Sequence, residues 1–150
     1  MSISQAAVVA KIRDLCGTVD GIAAAYSAAD SDETRIPAGI NATPAALVFP
    51  GPTVGYTLMH GQHRHTYEVS VQILENGGDA GIRDAVVSVF PDRVLEKLLA
   101  NVALGGLCNS CVFKRSTGLQ GFEYGGYDYT GYELVFEVSE EASAAPAFGS

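Results

Sequence analysis

His65-Thr66-Tyr67-Glu68-Val69-Ser70-Val71-Gln72-Ile73 alternates large apolar and polar side chains from Tyr67 onward. Successive side chains of an extended chain point to opposite faces, so Tyr67, Val69, Val71 and Ile73 share one side and Glu68, Ser70 and Gln72 the other. The segment is predicted as a strand with one face in the core and one face wet.

Working outward, Ala45 to Phe49 is an apolar run between Pro44 and Pro50-Gly51-Pro52, which reads as a buried strand too short for a helix. A second short strand is expected from Val54 to Met59. On the other side, Asn76-Gly77-Gly78-Asp79 supplies a turn and a helix cap, after which Ile82, Val86, Val89 and Phe90 recur at helical spacing. Pro91 cannot donate an interior helical hydrogen bond, so the helix kinks or restarts there, with Val94, Leu95, Leu98, Leu99 and Val102 continuing the apolar stripe up to Gly105-Gly106.

The N-terminal stretch reads as a helix capped by Ser2 or Ser4, with Val8, Val9, Ile12, Leu15 and Cys16 on one side and Gly17 at its end. A short strand is predicted over 22–28, then an acidic, exposed loop from Asp30 to Thr43. Residues 107–116 read as extended and pair with a last strand from Tyr132, where Leu134, Phe136 and Val138 alternate with Glu133 and Glu137. Between them, 118–131 reads as a glycine- and aromatic-rich loop, and residues after Ser139 have the composition of an unstructured tail. These elements define one α+β domain over 1–138 with a tail over 139–150.

With 150 residues and 47% apolar composition, the chain has material for a single core. Its formal charge of −8, from 17 acidic and 9 basic residues, disfavours a surface that grips phosphates or an anionic membrane. No stretch approaches the ~20 apolar residues of a membrane span, and Met1-Ser2-Ile3-Ser4 lacks the basic start of a signal peptide, so a cytosolic location is expected. Three cysteines fit reduced thiols there better than a disulfide framework.

Several clusters invite a chemical reading. His60, His63 and His65 lie close in sequence, and His63 and His65 would project to one side of a strand, but no acidic or cysteine partner stands at a recognisable metal-site spacing. Cys108-Asn109-Ser110-Cys111 has redox-motif spacing, yet it leaves a helix and enters a strand instead of opening a helix that would stabilise a thiolate. The glycines of 118–131 match no phosphate-binding pattern. No Ser or Cys falls in a nucleophile motif, no carboxylate pair stands out, and the acidic loop at Asp30, Asp32 and Glu33 lacks the calcium-loop pattern. No catalytic, metal or cofactor-binding residue is therefore assigned. The segment Tyr124-Gly125-Gly126-Tyr127-Asp128-Tyr129-Thr130-Gly131-Tyr132 suits protein contact, since tyrosines bury much area at low entropic cost and glycines allow close backbone approach. Tyr124, Gly125, Gly126, Tyr127, Tyr129 and Tyr132 are its candidate contact residues, with a solvated hairpin as the equal alternative for this segment and Asp30, Asp32 and Glu33 as a second candidate surface.

The order of these elements resembles the tail-terminator (tail-completion) proteins of long-tailed bacteriophages, over about residues 1–138. The phrases that carry the likeness are the N-terminal helix closing in a glycine turn, Pro44-Ala45-Ala46-Leu47-Val48-Phe49-Pro50, His65-Thr66-Tyr67-Glu68-Val69-Ser70-Val71, Ala103-Leu104-Gly105-Gly106 after the long helix, and the Tyr124–Tyr132 segment. The histidine cluster and Cys108 with Cys111 depart from that pattern. The resemblance implies a mixed, mainly antiparallel β-sheet flanked by an N-terminal helix and a longer kinked central helix. It further implies a non-enzymatic virion protein that forms a hexameric ring on the major tail tube protein, ends tail growth, and meets a head-completion or stopper protein of the neck. DNA would pass through the lumen without specific binding, and no membrane would be involved. Assembly would take place in the host cytoplasm. The alternatives are another head–tail joining protein, a small metal-binding protein or enzyme using His60, His63 and His65, and a redox protein using Cys108 and Cys111.

Overall fold

The computed structural model describes residues 5–27, 43–59, 62–75, 90–100, 110–124 and 127–143. In chain order the elements are helix α1 (Gln5–Gly17), strands β1 (Ala24–Ser27), β2 (Ala45–Met59) and β3 (Gln62–Glu75), helix α2 (Phe90–Leu99), and strands β4 (Ser110–Ser116), β5 (Gln120–Tyr124) and β6 (Tyr127–Ser143). The six strands form one sheet in the order β1-β2-β3-β6-β4, with β5 also on β6. β1 runs parallel to β2 and every other pairing is antiparallel. The chain is thus α+β with a mixed sheet, as the sequence leads one to expect.

β3 is the strand that the alternation at 65–73 marks. Tyr67, Val69, Val71 and Ile73 are fully buried and face α1 and α2, together with Ala46 and Val48 of β2 and Leu134, Phe136 and Val138 of β6. Val8, Val9, Ile12 and Cys16 of α1 and Phe90, Val94 and Leu98 of α2 close over them. α1 ends at Gly17, but the residue that takes the left-handed conformation is Gly21, at φ 94°, where a side chain would press on the Phe90 ring at 3.2 Å.

The opposite face of β3 is drier than predicted. Glu68 is buried, Ser70 and Gln72 are half-buried, and Leu74 joins Ala45, Leu47 and Tyr129 in a second apolar cluster. The Leu74 end of β3 breaks the alternation that the sequence shows up to Ile73.

Three other expectations are corrected. The two short strands predicted over 45–49 and 54–59 are one strand, because β2 continues through Pro50 and Pro52 with register shifts between Pro50 and Thr53 and between Thr53 and Gly55. Proline cannot donate to a ladder, and a bulge absorbs it without ending the strand. Gly51 is required there, since a Cβ would meet the Glu68 carbonyl oxygen at 2.8 Å. Of the contact loop and the hairpin open to the glycine- and tyrosine-rich segment, it is the hairpin: β5 pairs with the start of β6, from Gln120 opposite Gly131 to Tyr124 opposite Tyr127. β6 also runs on to Ser143, so residues 139–143, expected in a tail, are paired with β3.

The longer kinked central helix expected from the sequence is not shown: the helix described there is α2, from Phe90 to Leu99. Pro91 lies in the first turn of α2, where its missing N–H costs nothing. Residues 76–89, including Ile82, Val86 and Val89, and residues 101–109, including Val102, lie outside the described residues. Within α2, Val94 and Leu98 are buried and Leu95 packs on the core, whereas Leu99, predicted in the same stripe, is 64% exposed.

Gly131 marks the tightest point of the sheet. A Cβ there would collide with the Ile73 carbonyl oxygen, so no side chain fits while β3 and β6 keep their spacing. Gly131→Ala is expected to destabilise the domain by about 3 kcal/mol or more. Urea unfolding monitored by circular dichroism measures this, and a midpoint equal to that of the parent would contradict the close approach.

Candidate functional site

The residues that the sequence nominates for contact divide into different environments. Tyr127, opening β6, is 61% exposed, whereas Tyr129 is 2% exposed and packs in the cluster of Ala45, Leu47 and Leu74. Tyr132 is half-buried against the main core. Alternation decides this, since Tyr127 and Tyr129 share a face of β6 but only Tyr129 has Leu74 and Phe122 near it. Gly125 and Gly126, the Tyr124 side chain, and Asp30, Asp32 and Glu33 lie outside the described residues. Tyr129 and Tyr132 are therefore part of the fold's own packing, and Tyr127 is the tyrosine of the hairpin shown to face solvent.

Tyr127 belongs to a longer exposed margin. β4 pairs with residues 134–139 of β6 and β5 with 127–131, so 110–124 runs as one interrupted edge along β6. The interruption at Thr117 to Leu119 stays tied to β6, because the Thr117 amide donates to the Glu133 carbonyl at 3.0 Å. Val112 is 48%, Phe113 40% and Leu119 43% exposed along this margin. Phe113 still meets Phe136 edge-on, with ring centroids 5.9 Å apart.

A charge network that sequence reading did not find lies beside β4. Glu68 on β3 accepts from Lys114 Nζ at 2.7 Å and from both terminal nitrogens of Arg115 at 3.2 and 3.3 Å, and Lys114 Nζ is also 3.4 Å from Glu137. The register shift between Phe113 and Arg115 brings consecutive cations to the same acid. Hydrogen bonds from Lys114, then Arg115, hold the Glu68 carboxyl below the usual range, and Glu68 holds the Lys114 ammonium above its own. Only the spacing of two adjacent basic residues in a strand otherwise meant to alternate could have hinted at this.

At the far end of the sheet, the Tyr67 hydroxyl donates to Glu140 at 2.7 Å, and Thr53 Oγ1 lies 2.9 Å from His65 Nε2. The His65 ring tilts over Tyr67 at 5.0 Å. His60 and the His63 side chain lie outside the described residues. Among the described residues no group of three or more His, Cys, Asp or Glu side chains is placed to hold a metal ion. Cys111 is buried with Cys16, both as free thiols, while Cys108 lies outside the described residues. Burial, and to a lesser degree the neighbouring Cys111, pushes the Cys16 thiol up to about 12.

Two shallow clefts flank α1. One, of about 430 Å³, lies between Thr18–Asp20 and Arg93, Glu96 and Lys97 of α2, and the Arg93 guanidinium closes its floor by donating to the Asp20 carbonyl at 2.9 Å. The other, of about 370 Å³, lies between Arg13 and Ile22–Ala25. Neither gathers a nucleophile with a base. Among the described residues no helix is long and apolar enough to cross a membrane.

The fold and this margin define an α+β protein with a mixed sheet and, among the described residues, an unpaired and partly apolar edge. No protein-family model matches the chain, and no curated protein sequence matches it.

Two outcomes follow from these environments. Tyr129→Ala is expected to cost roughly 3 kcal/mol by emptying the second cluster, whereas Tyr127→Ala is expected to shift stability by less than about 0.5 kcal/mol. Thermal melts of the two variants compare them directly, and equal losses would refute the division. The Glu68 network makes a second case. A carboxyl with a lowered folded-state value contributes stability that is full above the unfolded value of about 4.3 and is lost as pH falls through the folded value. Glu68→Gln is expected to flatten the acid side of the stability curve below about pH 4. An acid limb unchanged by the substitution would show that the network does not act on folding.

Proposed function

We propose that this chain is a structural assembly protein of the neck of a long-tailed bacteriophage, of the tail-terminator kind, and that its work is contact and not catalysis. In this reading it forms a ring, of six copies by the resemblance, that caps the tail tube, stops tube growth and receives the head-completion or stopper protein. DNA slides through the ring without specific binding, as the net charge of −8 favours. The longer central helix, with residues 82–89 leading into α2, belongs to the same proposal.

The observation that carries the reading is the margin of exposed apolar side chains, Val112, Phe113, Leu119 and Tyr127, along one edge of the sheet. Such side chains and an open strand edge favour pairing with another chain. The order of sequence phrases over 1–138 points the same way and supplies the particular assembly. A closed ring requires head-to-tail contacts whose rotation returns to the start.

Tyr127→Ala tests the contact half of this proposal. Interface energy concentrates in a few aromatic anchors, where truncation costs on the order of 2 kcal/mol. The variant is expected to remain folded while ring formation or tail attachment falls, as counted in negative-stain images of the protein with tail tubes. Imaging of virion necks that places this protein in an arrangement other than a ring would sink the reading.

A further inference from the structure

We propose that β4 is a latched strap: it opens from β6 as a unit while the β3–β6 pairing stays closed, and the contacts of Lys114 and Arg115 with Glu68 are its latch. The latch stands without the ring reading, and only its consequence for contact rests on that reading.

Little else holds the strand. Of Ser110–Ser116 only Cys111 is buried, and Val112 to Ser116 are all exposed. The ladder to β6 is interrupted by the register shift between Phe113 and Arg115, and among the described residues β4 has no second strand beside it. β3, by contrast, pairs on both sides, with β2 and with β6, and buries Tyr67, Val69, Val71 and Ile73 completely. A segment with few buried contacts opens at a lower free energy than the core it lies on.

The latch follows from the register. Glu68 of β3 stands directly opposite Glu137 of β6, and Glu137 stands opposite Val112 of β4, so a cation on β4 meets Glu68 only by reaching across β6. Lys114 does so, with Nζ 2.7 Å from Glu68 and 3.4 Å from Glu137, and Arg115 adds both terminal nitrogens at 3.2 and 3.3 Å. Like charges facing each other across a ladder are unfavourable, and an acid largely withdrawn from water needs its partners. Opening β4 leaves Glu68 and Glu137 face to face without these two cations, so the strap is held shut mainly by charge. Val112 and Phe113 leave the margin with it, and the latch thereby sets how long the contact surface of the ring reading is presented.

Amide hydrogen exchange on the full chain, followed by NMR over a series of urea concentrations below the unfolding transition, tests this. The β4 amides bonded to β6, and the Thr117 amide on the Glu133 carbonyl, are expected to exchange at least about tenfold faster than those of 67–73, with a weaker dependence on urea because less surface opens. Glu68→Gln keeps the size and removes the charge, and is expected to speed β4 exchange by a further fivefold or so while the weak urea dependence stays. Lys114→Gln, at an exposed position, is expected to act in the same direction and gives the reading where Glu68→Gln does not fold. β4 amides with the same rate and urea dependence as 67–73 overturn the proposal, since the strand is then lost only with the whole fold. Exchange in β4 that neither substitution changes overturns the latch. Neither result bears on whether the chain forms a ring.

Discussion

Where β3 meets β6, the two backbones approach so closely at Gly131 and Ile73 that a single methyl group would not fit. That pairing spans Gln62 to Glu75 on one strand and Thr130 to Ser143 on the other, and it fixes the two strands on which both apolar clusters are built. The helices need it because their buried residues rest on Tyr67, Val69, Val71 and Ile73 of β3 and on Leu134 and Phe136 of β6. The outer edge needs it too, since β4 and β5 have no other strand to pair with among the described residues.

The sheet is therefore asymmetric in a way that matters for contact. One face is closed by α1 and α2, and the other is divided between a small apolar cluster and a group of interlocked charges at Glu68, Lys114, Arg115 and Glu137. An acid removed from water is tolerable only with cations and hydrogen bonds at hand, and β4 supplies both from consecutive positions. The cations that hold Glu68 thereby also tie the margin strand to β3.

Much of this was legible because periodicity is a local signal. The alternation at Tyr67–Ile73 and at Leu134–Val138, and the helical recurrence at Val8, Ile12 and Cys16, all mark residues that are buried. What stayed hidden was set by tertiary neighbours. Pro50 and Pro52 look like strand terminators until β3 is present to carry the bulge, and the glycines of 118–131 look like a loop until β6 is seen to need one of them against Ile73. Tyr127 and Tyr129 are indistinguishable in sequence, since only the position of Leu74 makes one of them core. The Glu68 network joins residues more than forty positions apart, beyond the reach of any local pattern.

The two buried thiols carry a consequence of a different kind. Cys16 lies on the buried side of α1 and Cys111 on β4, and the Cys16 thiol, held neutral with its value pushed up to about 12, is a poor nucleophile toward alkylating reagents as long as α1 stays seated. Modification of Cys16 must wait for an opening that lifts the helix from the sheet, so the rate at which Cys16 itself takes up a maleimide, read from its own peptide by mass spectrometry, becomes a clock for that opening. The molecule thereby carries an intrinsic stopwatch for helix undocking, sited at the junction of its first helix and its margin strand, with no probe added to the chain.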